Sequence, residues 1–505
     1  MELEQGIGSS KRSAGILLHP SSFPGPYGIG DLGKKAYEFI DFLKQSGMKL
    51  WEVLPLGPTA FSESPFQVFS SFAGNPYLIS PDHLKTLGLL FDNDFQDMPQ
   101  WNPENIHYGN VITFKQNLLK KAYSRFIDNY NKIDPDLISN YNSFLSDNSW
   151  LSDYCLFMAA KDHHKGAPWY SWEASIRCPS EKDRKNWEMK LKSQIAYYSF
   201  IQFLFFYEWD CLKKYANKRG ITIIGEIPFY VGLDSVDVWA NKELFLLDKE
   251  NRPLYIAGLP PDYFLSYGKI LSYPLYNWQE HKKQNFDWWK KRIARQLSLT
   301  DQLKLSNFKG FIKSWAVASG DKDATNGHWL LNDGELLFKD LKQIYGPLLP
   351  FFTEDLGPLD EDLEKFRKNF NLADVRVLLY AFDAPYENHF LPHNHTENSV
   401  CYASTHDTDT CLGWYKHAYE TSKDKLRRYY STDANDVSWV MIRAAFSSVA
   451  KHAIITLQDI LSLDSWARYN DNKVTEGNWG WRYKSDALNP QLAQRLYDTA
   501  KLYGR

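Results

Sequence analysis

Cysteine is scarce and scattered in this chain. The five cysteines among 505 residues (Cys155, Cys178, Cys211, Cys401, Cys411) show no CxxC spacing, so neither a zinc site nor a disulfide framework is expected. An excess of charge of one sign is also missing. Lys plus Arg number 58 and Asp plus Glu 61, which leaves no basic field for nucleic acid and no acidic tail. No apolar run approaches the length of a membrane span, and Met1–Arg12 is polar and lacks the apolar core of a signal segment. Gly28-Ile29-Gly30-Asp31-Leu32-Gly33 has GxGxxG spacing but does not sit directly on the end of the first strand-like run, Ala14–His19, which argues against an open dinucleotide-binding sheet. Repeats and low-complexity tracts are absent. These gaps leave the expectation of a soluble cytoplasmic protein with no metal, no cofactor, and neither nucleic acid nor membrane as a partner. Nothing in the chain bears on its oligomeric state.

Aromatic rings, by contrast, are plentiful. They make up 16% of the chain, with 18 Trp and 31 Tyr. Flat rings with polar edges suit stacking on sugar faces, although most such rings fill cores. Short apolar, β-branched runs recur along the chain and alternate with helical spacing. The runs are Ala14–His19, Lys49–Leu54, Ile221–Ile227, Gln302–Phe308, Pro350–Glu354, Val375–Ala381, Val400–Ser404 and Ala453–Asp459. Helical patterns such as Gly334–Tyr345 and Asp360–Phe370 separate most of them. Eight strand–helix units predict an α/β fold of the (β/α)8 TIM-barrel type. From about Leu84 to Asn217 the pattern is mainly helical, so a large helical insertion is expected between strands 2 and 3. The division that follows is residues 1–58 and 218–505 for the barrel and 59–217 for an inserted loop and helical subdomain.

Carboxylates gather where these runs end. Leu349–Gly357 is an apolar run that delivers Glu354 and Asp355 and is then cut off by Gly357 and Pro358. In a parallel barrel the carboxyl ends of the strands carry the chemistry, although acidic pairs also begin helices as caps. Glu226 follows the third run, Asp407 and Asp409 the seventh, and Asp459 the eighth. Two carboxyl groups flanking an anomeric carbon, one attacking and one donating a proton, are what a retaining glycoside-processing enzyme needs.

Several motifs carry a more specific resemblance. They are Gly15-Ile16-Leu17-Leu18-His19, Tyr27-Gly28-Ile29-Gly30-Asp31-Leu32-Gly33, Ser64-Pro65-Phe66-Gln67 and Asp234-Ser235-Val236-Asp237-Val238-Trp239-Ala240-Asn241. Further on come Gly258-Leu259-Pro260-Pro261-Asp262-Tyr263-Phe264, Glu354-Asp355-Leu356-Gly357, Thr405-His406-Asp407 and Gly477-Asn478-Trp479. In this order they resemble the 4-α-glucanotransferases of the amylomaltase type, glycoside hydrolase family seventy-seven. The resemblance implies α-1,4-glucans as donors and glucose or maltooligosaccharides as acceptors. It also implies Glu354 as general acid/base and Asp407 as the carboxylate that stabilises the transition state. His406, Asn470, Ser64, Phe66, Gln67, Asp262 and Tyr263 are implied as sugar contacts.

One strand departs from the pattern. Where the family runs Arg-x-Asp-His-Phe-Arg-Gly-Phe, this chain has Lys304-Leu305-Ser306-Asn307-Phe308-Lys309-Gly310-Phe311. The nucleophile position therefore holds Ser306, flanked by Lys304 and Asn307, which remain candidate substrate contacts. A hydroxyl is protonated at neutral pH, and the ether it would form is a poor leaving group. Other positions drift as well. Glu226 stands for a family Asp, Glu52 and Glu208 for glutamines, Phe66 for a tyrosine and Leu271 for a tryptophan. Two readings follow: a 4-α-glucanotransferase impaired by Ser306, or a non-catalytic maltooligosaccharide-binding pseudoenzyme.

Overall fold

The computed structural model of the chain describes residues 12–60, 63–261, 266–357, 360–383, 388–474 and 476–505. Its strands, in chain order, begin with β1 (Ser13–Leu17), β2 (Leu50–Glu52), β3 (Thr222–Pro228), β4 (Tyr255–Leu259), β5 (Lys269–Pro274) and β6 (Gln302–Ser306). They continue with β7 (Lys313–Ala318), β8 (His328–Leu331), β9 (Phe351–Glu354), β10 (Ala373–Val377), β11 (Ser399–Tyr402) and β12 (His452–Thr456). Eight of them close into a barrel in the order β1-β12-β11-β10-β9-β6-β3-β2, and all eight pairings are parallel. Burial on both faces explains why these segments read as continuous apolar runs without alternation. In β1, β6, β10, β11 and β12 every residue is buried.

Each of the eight expected runs overlaps one barrel strand, and several extend past its end, as Gln302–Phe308 does where the strand stops at Ser306. The run expected over Val375–Ala381 is strand only to Val377, and Leu378–Ala381 forms a 3-10 turn. The run expected over Ala453–Asp459 ends as strand at Thr456, whose hydroxyl accepts from Asp459 N and caps the helix Leu457–Ile460. A short buried helix and a buried strand look alike in apolar content, so the pattern ran through both.

β4, β5, β7 and β8 form a second, antiparallel sheet in the order β5-β4-β7-β8, which the sequence pattern did not reveal. It grows from the connections that leave the carboxyl ends of β3 and β6. Between β2 and β3 lie the helices Tyr108–Asp128, Pro135–Asp147, Leu151–His163, Glu181–Lys190 and Lys192–Lys218, with shorter ones among them. The last is anchored on the barrel by Trp209, whose Nε1 donates to the Leu299 carbonyl at 2.8 Å. It also holds the loop that follows β2. Gln202 accepts from Gly74 N at 2.8 Å and donates to Gly74 O at 2.9 Å, while Glu208 accepts from Ser80 N at 2.8 Å. None of the helices among the described residues is long and apolar enough to cross a membrane.

Candidate active site

Interstrand register brings the site together. β6 pairs with β3 so that Lys304 lies opposite Glu226 and Ser306 opposite Pro228, and with β9 so that Ser306 lies opposite Glu354. Paired residues of parallel strands share a face, so these side chains stack as two rungs inside the barrel. Glu226 and Lys304 form the lower rung, and Ser306 and Glu354 the upper. β6 ends at Asn307, which takes the left-handed conformation (φ 53°) that asparagine tolerates better than most residues. Behind it Gly310 packs on the Phe229 ring with no room for a Cβ.

A buried charge cluster occupies the lower rung. Lys304 is fully buried, and its Nζ lies 2.8 Å from Glu52, 3.1 Å from Glu226 and 3.3 Å from Glu354. Burial works against the ammonium, but the three carboxylates outweigh it and hold the Lys304 pKa well above its ordinary value. The Tyr402 hydroxyl donates to Glu52 at 2.5 Å. Burial pushes the Glu226 carboxyl up, against the pull of Lys304 and His406. Glu226 also accepts a hydrogen bond from the Ser306 hydroxyl. Lys304, implied as a sugar contact by resemblance, thus faces carboxylates and is closed off from solvent.

The opposite wall comes from the loop after β11. Asp459, fully buried, accepts from the Ser404 hydroxyl and, at 2.7 Å, from Cys411 N. The Thr408 hydroxyl accepts from Thr405 N at 2.9 Å. Between these pins the loop presents His406 and Asp407. Their side chains lie 3.3 Å apart, His406 only 2% exposed and Asp407 48% exposed. Asn470 donates to Asp407 at 2.8 Å. Burial opposes a charged His406 ring, but Asp407 and Glu226 prevail and raise its pKa to about 9. For Asp407 burial is likewise overcome, by the His406 charge and hydrogen bond and then by Asn470, so its carboxyl is held well below the usual range.

The β2 loop completes this wall. Phe66 stacks on the His406 ring with centroids 4.8 Å apart and planes 16° from parallel. The Ser64 hydroxyl accepts from Phe66 N at 3.2 Å, shaping the turn. Gln67 hydrogen-bonds Tyr273 of β5.

Glu354, Asp407 and Asn307 line one cavity of about 620 Å³, together with Leu271, Trp315 and Trp329. The structure therefore gathers Ser306, Glu354, Asp407, Asn307, His406, Asn470 and Phe66 around one mouth, with Ser64 and Gln67 on the adjoining loop. Asp262 and Tyr263 lie outside the described residues. Asp355, the neighbour of Glu354, accepts from Lys309 N at 3.0 Å and ties β9 to the exit of β6. Asp234 and Asp237 are structural too, accepting from Lys161 Nζ at 2.7 Å and from Ser71 N at 2.8 Å.

Sequence reasoning noted Glu226 among the carboxylates at strand ends and Glu52 as a departure from the resemblance but gave neither a role in the site, and it did not foresee Trp315 and Trp329 as its wall. A signal for Glu226 existed. A carboxylate within the otherwise apolar Ile223–Ile227 must be paired if it is buried.

A parallel barrel with paired carboxyl groups at the mouth defines the class: a carbohydrate-active (β/α)8 enzyme fold. The profile of the family described as 4-alpha-glucanotransferase, glycoside hydrolase family 77, matches residues 18–488. A 4-alpha-glucanotransferase of Synechocystis is 41% identical over 498 residues, spanning 98% of this chain and 98% of its own length. One from Thermus thermophilus is 39% identical, spanning 96% of this chain and 97% of its own. The amylomaltase of Streptococcus agalactiae, solved in complex with acarbose, superposes with a TM-score of 0.93 at 34% identity, covering 98% of this chain and all of that one. The chain belongs to the 4-alpha-glucanotransferase (amylomaltase) family.

Proposed function

We propose that this chain disproportionates α-1,4-glucans with retention of configuration, more slowly than a relative with a carboxylate at the end of β6. The observation that carries this reading is the shared cavity of Glu354 and Asp407, with the β11 loop pinned from behind. Glu354, 12% exposed, protonates the glycosidic oxygen and later takes the acceptor's proton. Asp407, ionised by its contacts with His406 and Asn470, faces the positive charge that develops at the anomeric carbon. His406, positively charged at neutral pH, donates to a hydroxyl of the sugar at the cleavage point. Donors are maltooligosaccharides, and acceptors are glucose or further maltooligosaccharides. By analogy with the Streptococcus agalactiae amylomaltase, acarbose is a suitable competitor for the cavity.

The test is incubation with maltotriose and resolution of the products by length. Longer and shorter oligosaccharides are expected, and their absence would refute the reading. Ser306 favours a second reading, a glucan-binding pseudoenzyme. That reading requires maltoheptaose to bind in calorimetry while maltotriose stays unchanged.

A further inference from the structure

The residue that fills the space beside Ser306 is a carboxylate from the neighbouring strand. A serine Oγ occupies the place that the γ-carbon of an aspartate would take, and the Ser306 Oγ donates directly to Glu226 Oε1. An oxygen of Glu226 therefore lies beside Ser306 Oγ, in a side chain that is closed off from solvent beneath the cavity and must turn past Ser306 to meet a sugar. Two departures from the family pattern match one another here. A carboxylate is missing at 306, and the side chain at 226 is one methylene longer than the aspartate the pattern has there. The longer stem lets Glu226 climb from the lower rung, opposite Lys304, to the upper rung of Ser306 and Glu354.

The spacing to the acid fits as well. Lys304 Nζ lies 3.1 Å from Glu226 Oε2 and 3.3 Å from Glu354 Oε2. Those two contacts laid end to end bound the gap between the facing oxygens. The two carboxyls therefore share one ammonium, an arrangement compatible with the ~5–5.5 Å separation of a retaining pair.

We propose that Glu226 is the nucleophile of this chain: the attacking carboxylate has moved from β6 to β3. This rests on the glucanotransferase reading and supplies the group that reading lacks. In the first step a Glu226 carboxylate oxygen bonds to C1 as the bond from C1 to the leaving O4 breaks, and O4 takes the proton of Glu354. In the second step the acceptor 4-hydroxyl bonds to C1 and gives its proton to Glu354, and the ester's electron pair returns to Glu226. Ser306 holds the carboxylate head in place by its hydrogen bond. Lys304, 3.1 Å away, favours the ionised head and works against the burial that pushes its pKa up.

The test begins with the unmodified protein, treated with a 5-fluoro α-maltosyl fluoride, whose ester with the enzyme turns over slowly. Peptide mass spectrometry is expected to find the sugar on Glu226. A label on Glu52, Glu354 or Asp407 would overturn the assignment, as would a first-formed product of inverted, β configuration. Glu226→Gln is expected to lose at least a thousandfold in maltotriose disproportionation while still binding maltoheptaose. Retention of more than a tenth of the rate would overturn the proposal. Because Glu226→Gln also strips Lys304 of a partner, a second variant moves the carboxylate back. Glu226→Asp alone is expected to be as poor as Glu226→Gln, and adding Ser306→Asp to it is expected to recover at least a hundredfold. Failure to recover, in a double variant that is folded and binds glucan, counts against the proposal. Absence of both products and label from the unmodified protein refutes the glucanotransferase reading together with this one. Products without a label on Glu226 refute this one alone.

Discussion

The two sides of the barrel mouth differ in how far they keep the family's residues. On the β9 and β11 side, Glu354, His406 and Asp407 stand as the family has them. Glu354 ends β9, while His406 and Asp407 ride a loop pinned on Asp459, and Asp407 accepts from Asn470. On the β3 and β6 side lie the four positions that the resemblance marks as departures, Glu52, Glu226, Lys304 and Ser306. They form one connected cluster around a single ammonium. Side chains that share partners cannot be substituted independently. Positions that look unrelated in sequence are thus neighbours in space, joined through Lys304 and the Ser306–Glu226 hydrogen bond.

The largest effect is expected on the kept side. Glu354→Gln should reduce kcat for maltotriose disproportionation by ~10²–10⁴, the usual worth of a positioned acid. A loss of less than tenfold would mean that the kept side is not where the proton moves. On the changed side the expected effect is on stability. Lys304→Met leaves three carboxyls buried around no cation, and breaking a buried ion pair from one partner costs about 3–5 kcal/mol. Urea denaturation at pH 7 measures it. An unchanged midpoint would mean that the cluster carries no net charge pairing.

The His406–Asp407 pair should give the kept side its own pH signature. The His406 pKa rises from 6.5 to about 9 on folding. The folded protein thus binds the proton more tightly, so this contribution is complete below pH 6.5 and is lost as pH climbs towards 9. Asp407, lowered on folding, contributes above its unfolded value of 3.8 and loses that contribution as pH falls. Stability followed from pH 6 to 9.5 should decline, and His406→Gln should flatten that part of the curve. A decline of the same size in the variant would place its origin elsewhere. The smallest expected effect concerns the cavity wall. Trp329, 40% exposed and packed edge-on to Trp315 at 5.2 Å, offers a ring to glucan. Trp329→Ala should raise KM by a few-fold, in line with the ~0.5–1.5 kcal/mol of a ring contact, and leave the urea midpoint within error.

The barrel was legible because each strand is buried on both faces and so is written as a short block of β-branched and aliphatic residues, as in Ile221–Ile227. The β5-β4-β7-β8 sheet was not legible. Tyr255–Leu259 pairs with Lys313–Ala318 across the whole of β6, and segments of four to six residues at a rim carry little period of their own. Glu354, His406 and Asp407 could be read from motif and strand end. The Glu226–Ser306 contact could not, because it depends on which rung of β3 faces which rung of β6, and register is a property of paired strands.

The Gln202 clamp on Gly74 has a consequence for attempts to shorten this protein. A version trimmed of its helices between β2 and β3 would keep Glu354, Asp407 and the carboxyl groups around Lys304, and would lose Glu208. It would also lose the Gln202 hold on Gly74, one of the ties on the loop that carries Phe66, the ring that lies flat on His406. The helices between β2 and β3 thus brace from behind the loop that backs His406, and a minimal barrel cut from this chain would keep its acids with that brace gone.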